Sequence, residues 1–289
     1  MKRIVLVLFL ITLNVKASIK IIGGETSAND QLSGVINIIV LNSLNEEDME
    51  QCTATKISET QVISAAHCFY GRKVETIGWS NNTEYSEDVE SDFFGLYVKS
   101  IDMHPSYEAQ RKLGSLEKLS GQDLAIVTFD KDKGNYWHEF DKLKIHELSF
   151  DAIEAGANLR MFGYGCQDFI GTDSSVMLKK EAEIVTVGES WLSDLGGHFP
   201  YILQYYASGI YLSKFVSLGI KSGQSSASMC SGDSGGPVLN SHLQVVGINA
   251  STIFNDLEEN GDMGSGVSYL NLHNRISIVK DWIIEKLKP

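Results

Sequence analysis

The chain has 289 residues, 43% of them hydrophobic and 21% charged, and carries a formal net charge of -13. That composition is ordinary for a globular protein and ample for a sizeable core. So large an excess of acid repels phosphate backbones and anionic lipid, which argues against nucleic acid and membrane surfaces as partners.

The first element in chain order is a leader. Lys2 and Arg3 precede an apolar run from Ile4 to Leu13, and Val15-Lys16-Ala17 ends on a small residue. This order predicts a secretory signal peptide over residues 1–17. The run is too short to cross a bilayer, which takes about 20 apolar residues. No later stretch is long and apolar enough for a membrane helix, so the mature chain is expected to be secreted, extracellular or periplasmic, and free of the membrane. The leader through Lys20 holds Lys2, Arg3, Lys16 and Lys20 and no acid, so its loss takes the charge to -13 - 4 = -17.

Short β-type runs follow at Val35–Leu41, Gln61–Ser64, Leu124–Phe129 and Leu243–Ile248, separated by Gly, Asn, Asp and Ser clusters. With only 4 Pro against 26 Gly and no repeat or linker, this reads as an all-β barrel or sandwich. The acid-rich segments 45–48 and 84–92 are expected to be surface loops. Carboxylates in the second could hold calcium, but no ligand spacing marks it, and a solvated loop is the expectation. Near the end, Ile276, Val279, Ile283 and Leu287 recur at three- and four-residue steps, which predicts an amphipathic helix over about residues 275–287, docked on the body.

Cys52, Cys68, Cys166 and Cys230 suit two disulfides in an oxidising compartment. Their spacings match no common zinc pattern, so no metal is expected there. Three other features carry chemistry. A hydroxyl is a poor nucleophile at its own pKa and needs an imidazole within hydrogen-bond reach. The imidazole needs an acid to fix its tautomer, and the reaction needs backbone N–H donors at the developing oxyanion. Gly232-Asp233-Ser234-Gly235-Gly236-Pro237 is a glycine-rich turn around a serine. Ser64-Ala65-Ala66-His67-Cys68 places a histidine after an apolar strand, and Asp123 heads another apolar run. Singly, each has a structural reading: a packing histidine, a strand-start cap, a simple turn.

Together, in the order His67, Asp123, Ser234, these motifs resemble the trypsin/chymotrypsin family of serine peptidases, from Ile21 to the terminal helix. The resemblance implies two antiparallel six-stranded β-barrels, at about residues 35–140 and 141–270 of a domain over 21–289, with the cleft between them. It implies that Ser234 attacks the scissile carbonyl, His67 moves the proton, Asp123 orients His67, and the N–H groups of Gly232 and Ser234 form the oxyanion hole. Lys20-Ile21-Ile22-Gly23-Gly24 is similar to the family's activation junction. Residues 18–20 are then a propeptide, and cleavage after Lys20 frees an ammonium on Ile21 to pair with Asp233.

By the same resemblance Cys52 pairs with Cys68, and Cys166–Cys230 is the second expected bridge. Ser228, Met229 and Gly266 are expected to line the specificity pocket, with Thr252 less securely aligned. Serine at 228 lacks the charge to offset a buried cation, so an uncharged, apolar side chain is expected before the scissile bond. Such a pocket does not accept Lys20, which implies a separate basic-specific activating protease. Ala250 stands where the family has a serine that donates to the catalytic aspartate, unless the register slips and Ser251 replaces it. Protein or peptide substrates, no cofactor and a monomer complete the reading. The alternatives are a catalytically silent homologue used for binding and, from another class, an esterase, against which the order of the three motifs argues.

Overall fold

The computed structural model describes residues 21, 25–27, 30–82, 84–86, 93–111, 121–165, 176–187, 214–218, 228–254 and 269–288. The expected signal peptide, Lys20, Cys166, Gly266 and residues 87–92 lie outside them. In chain order the strands are β1 (Glu25–Thr26), β2 (Val35–Asn42), β3 (Asn45–Lys56), β4 (Gln61–Ser64), β5 (Thr76–Ser80), β6 (Glu84–Ser86), β7 (Phe94–Met103), β8 (Ala125–Phe129), β9 (Asn158–Gly163), β10 (Val176–Leu178), β11 (Lys180–Val187), β12 (Lys214–Leu218), β13 (Pro237–Leu239), β14 (Val245–Phe254) and β15 (Tyr269–Arg275). The helices are α1 (Pro105–Arg111), α2 (Trp137–Lys142) and α3 (Lys280–Lys286), the last continuing a 3-10 turn over Ile276–Val279.

The strands form two closed six-stranded antiparallel barrels. The first runs β2-β3-β4-β8-β7-β5; the second runs β9-β11-β12-β15-β14-β13, with β1 added outside on β11. The continuous apolar runs of the sequence are strands buried on both faces. Ile36, Ile38 and Val40 of β2, Val62 of β4 and Val127 and Phe129 of β8 fill the first barrel. Their alternates Val35, Ile63 and Ile126, with Leu124, turn to a seam shared with Phe162, Tyr164, Leu239 and Ile248 of the second barrel. Side chains alternate across a strand, so one short run serves two cores.

The same seam takes Ile276, Val279 and Ile283 from the C-terminal turn and helix. The helix is fastened to the first barrel by Gln61 Nε2 donating to the Lys286 carbonyl at 2.7 Å and by the Lys286–Asp102 ion pair at 2.9 Å. None of the described helices is long and apolar enough to cross a membrane.

The acid-rich segment 45–48 is a correction. It is the start of β3, paired with β2 from Asn42↔Asn45 onward, and not a loop. Strand is tolerated because this end of the hairpin faces solvent and Arg72 bridges Asp48 and Glu50 at 2.8 and 3.0 Å. Residues 84–86 are likewise a short strand, β6, paired with β10.

Candidate active site

Three segments converge at the junction of the barrels. His67 lies on a 3-10 turn, Ala66–Cys68, directly after β4, and the Cys52–Cys68 disulfide ties that turn to β3. Asp123 sits two residues before β8. Ser234 occupies the turn before β13. Gly232 and Gly235 hold φ of +96° and +81° there, a region in which a side chain is strained. A Cβ on Gly235 would also stand 2.0 Å from Ser64 Oγ, so the turn admits no larger residue.

His67 and Asp123 are joined twice. His67 Nδ1 lies 2.7 Å from Asp123 Oδ2, and the His67 amide donates to Asp123 Oδ1 at 2.8 Å. Both carboxylate oxygens therefore face His67, which places the Nδ1 proton toward the acid and leaves Nε2 for proton transfer. The histidine side chain is 30% exposed and the aspartate 11%. Burial opposes charging of His67, but the charge and hydrogen bond of Asp123 outweigh it and raise its pKa above the usual range, with Glu50 adding and Arg111 opposing.

Asp123 is positioned by Asn274 of β15, which the sequence reading missed. Its Oδ1 accepts from the Asp123 amide at 3.1 Å and its Nδ2 donates to the Asp123 carbonyl at 2.7 Å. An asparagine inside a strand has no local signature of such a role. Ala250 is buried, and although the β14–β15 register shifts between Asn249 and Ser251, the Ser251 hydroxyl is buried without a partner among the described residues. Ser251 does not supply the donor that Ala250 lacks.

Thr53 of β3 anchors the glycine turn by its carbonyls. Its amide donates to the Ser234 carbonyl and its hydroxyl to the Gly232 carbonyl, both at 2.8 Å. The amides of Asp233, Gly235 and Gly236 bond to Cys230, Asn249 and Asp233 carbonyls, whereas those of Gly232 and Ser234 have no acceptor among the described residues. Two spare N–H donors, one of them the serine's own, thus lie in the turn. Among the described residues the Ser234 hydroxyl makes no hydrogen bond, and a link to His67 commonly tightens only with substrate.

Asp233 points inward and is fully buried, accepting from the Gly165 amide at 2.7 Å and the Cys230 amide at 2.8 Å. Burial pushes its carboxyl up to about 6, against those two donors and the charge of Lys180. A Cβ on Gly163 would stand 2.2 Å from its Oδ1, so the Gly163-Tyr164-Gly165 turn is shaped around this carboxylate. Ile21 is 1% exposed and packs with Met161, Met229, Val238 and Val246. Its φ is +26°, a strained value for a β-branched residue.

Of the expected pocket residues, Ser228 and Met229 are described and both are buried. Met229 packs in the Ile21 cluster, and Thr252 lies half-buried on β14. Ser228 is closed off by Asn271 of β15, whose Oδ1 accepts from the Ser228 hydroxyl at 3.2 Å and the Met229 amide at 3.0 Å. Asn271 Nδ2 lies 3.4 Å from Ser217 Oγ, which is 2.9 Å from His273 Nε2; His273 Nδ1 is 3.0 Å from Asn249 Oδ1. Asn249 Nδ2 ends the chain on the Phe162 and Asp233 carbonyls. Those carbonyls can only accept, so each donor is assigned in turn: Asn249 to the carbonyls, His273 Nδ1–H to Asn249, Ser217 to His273. These groups form a buried, neutral, polar network beside Ser228, and burial holds the His273 pKa down at about 3. β15 thus carries asparagine and histidine inward beside Ser228.

Cys230 is disulfide-bonded, while its expected partner Cys166 lies outside the described residues. Cys52, His67 and Cys68 form the one close group of metal-ligand residue types among the described residues, but both sulfurs are spent in a disulfide.

Residues 21–283 match the family model for trypsin. The chain is 22% identical over 288 residues to phenoloxidase-activating factor 1 of Holotrichia diomphalia, covering 93% of this chain and 70% of that protein. Two solved structures of scabies mite inactivated protease paralogues share the fold. Paralogue S-D1 has a TM-score of 0.62 at 17% identity, covering 92% of this chain and 99% of its own. Paralogue S-I1 has a TM-score of 0.60 at 20% identity, covering 92% and 98%.

Proposed function

The chain belongs to the trypsin family of serine peptidases, and on that premise we propose that it is a secreted serine endopeptidase made as a zymogen. The observation that carries this reading is the doubly bonded His67–Asp123 pair, at 2.7 and 2.8 Å, in a chain whose glycine turn holds Ser234 with its own amide and that of Gly232 spare. Ser234 Oγ attacks the scissile carbonyl and passes its proton to His67 Nε2. Asp123 stabilises the imidazolium, and the amides of Gly232 and Ser234 receive the oxyanion. The proton then goes to the leaving amine, and water hydrolyses the acyl-enzyme.

Cleavage after Lys20 starts this machinery. The φ torsion of Ile21 is defined through the Lys20 carbonyl, so cutting that bond removes the strained torsion at +26° and frees an ammonium to pair with Asp233. A cation there offsets the burial of Asp233 and holds the oxyanion turn in place. Asn271 shortens the pocket above Ser228, and its neutral floor suits a small uncharged side chain. Lys20 does not fit such a site, so a separate basic-specific protease activates the chain.

A second reading, a silent homologue that binds proteins without cutting them, is favoured by the Asn271 closure and by the lack of a donor from Ser251. Cleavage of a diverse peptide library by protein beginning at Ile21, beside a Ser234→Ala control, separates the two. Cutting after small uncharged residues, lost in the control, is expected. Folded protein with a verified Ile21 terminus that cuts nothing establishes the silent reading instead.

A further inference from the structure

Beside His67 stands a cationic surface that the reaction does not use. Arg111 ends α1 and is exposed; its Cζ lies 5.3 Å from the Tyr70 ring centre and 5.8 Å from that of Tyr107. The two rings meet edge to face at 5.6 Å and 80°. Tyr70 comes three residues after His67, where its amide donates to the Ala66 carbonyl, and Tyr107 is 4% exposed in the first barrel's core. The platform under Arg111 is thus built on the same turn that carries the histidine.

Arg111 takes part in no ion pair among the described residues, although Glu108 is one helical turn away. By contrast, the neighbouring Arg72 is spent on Asp48 and Glu50. The charge of Arg111 is felt in the site, opposing the protonation of His67 that Asp123 and Glu50 favour. A guanidinium stacked against aromatic rings keeps its N–H edge for a planar acceptor and loses little freedom on binding one.

We propose that Arg111 is a substrate-binding residue that recognises a carboxylate side chain, Asp or Glu, near the scissile bond on the His67 side of the cleft. Near-planar geometry favours a carboxylate over other acceptors, because the guanidinium fork donates two parallel bonds to it. The chain as a whole, at -13, works the other way and favours basic peptides. An acidic preference therefore has to come from a local cation, which makes the test sharp.

The assignment rests on the peptidase reading for cleavage but not for binding, and both are measured. Protein beginning at Ile21 is given peptides differing only in Glu, Gln or Lys at each position flanking the scissile bond. The acid is expected to raise kcat/KM about fivefold over the amide at one position, a size fitting a partly exposed bidentate pair. Arg111→Ala brings that ratio to about one, and Arg111→Glu inverts it toward Lys. Ser234→Ala protein is titrated with the same peptides by fluorescence anisotropy, and the same order of affinities is expected, lost in Ser234→Ala/Arg111→Ala. If nothing is cleaved yet the binding order holds, the catalytic reading fails and this one stands. No acid preference at any position in binding, or one that survives Arg111→Ala, overturns it.

Discussion

Asp233 is a fully buried carboxyl held by two backbone amides, with its pKa pushed up to about 6 chiefly by burial. Its folded value exceeds its ordinary one of 3.8, so the folded chain binds more protons than the unfolded chain between those pH values. Stability is therefore greater below pH 4 and falls as pH rises through 6, by on the order of 3 kcal/mol for this group alone. In the uncleaved protein Asp233→Asn is expected to raise the urea midpoint at pH 7 and to leave it nearly unchanged at pH 4. An equal shift at both pH values would contradict this account of the carboxyl. Residues of this kind were legible because they sit in short contiguous motifs: Ser234 among its glycines, His67 beside Cys68, Asp123 before an apolar run. Asn274 was not, since its clamp on Asp123 joins positions 151 apart in sequence.

At the scale of elements, β15 shows how a buried polar network escapes sequence reading. Tyr269-Leu270-Asn271-Leu272-His273-Asn274-Arg275 alternates, but Leu270, Asn271, Leu272, His273 and Asn274 are all buried, so polar letters do not mark a solvent face. Each polar group is satisfied by a strand distant in sequence, and alternation cannot name that partner. Segment 45–48 misled for the complementary reason: exposed Glu47 and half-buried Asp48 stand on the paired strands at the end of a hairpin, not in a loop. The histidine turn is held by a covalent link across 16 residues. A loop of that size restricts the unfolded chain by about 3 kcal/mol, and Cys52→Ala/Cys68→Ala is expected to lose that much in chemical denaturation. A loss under 1 kcal/mol would mean that packing of the buried Ala65, Ala66 and Phe69 suffices to seat the turn.

Across the whole molecule, the two barrels share one apolar seam with the C-terminal helix, and buried imidazoles tie its stability to pH. Burial, then the charge of Lys144, brings the His146 pKa down to about 4, and burial brings His273 to about 3. Both are neutral in the folded chain and charge on unfolding below pH 6.5, so their contribution is present above 6.5 and lost as pH falls toward 4 and 3. Together they amount to several kcal/mol and outweigh the opposing effect of Asp233 in the same window. The Tm is expected to drop between pH 7 and pH 5, and His146→Gln to shrink that drop; a flat profile would contradict the burial of neutral imidazoles.

The all-β architecture was readable because runs buried on both faces are short, continuous and β-branched, whereas their closure into two barrels came only through the family resemblance. The central claim, that Ser234 is an activated nucleophile, is tested most directly by titration with a fluorophosphonate, which needs no side-chain pocket. Protein cut after Lys20 is expected to take up one label per chain on Ser234, lost in His67→Ala and slow in the uncut chain. Folded protein with a verified Ile21 terminus that takes up no label would contradict it.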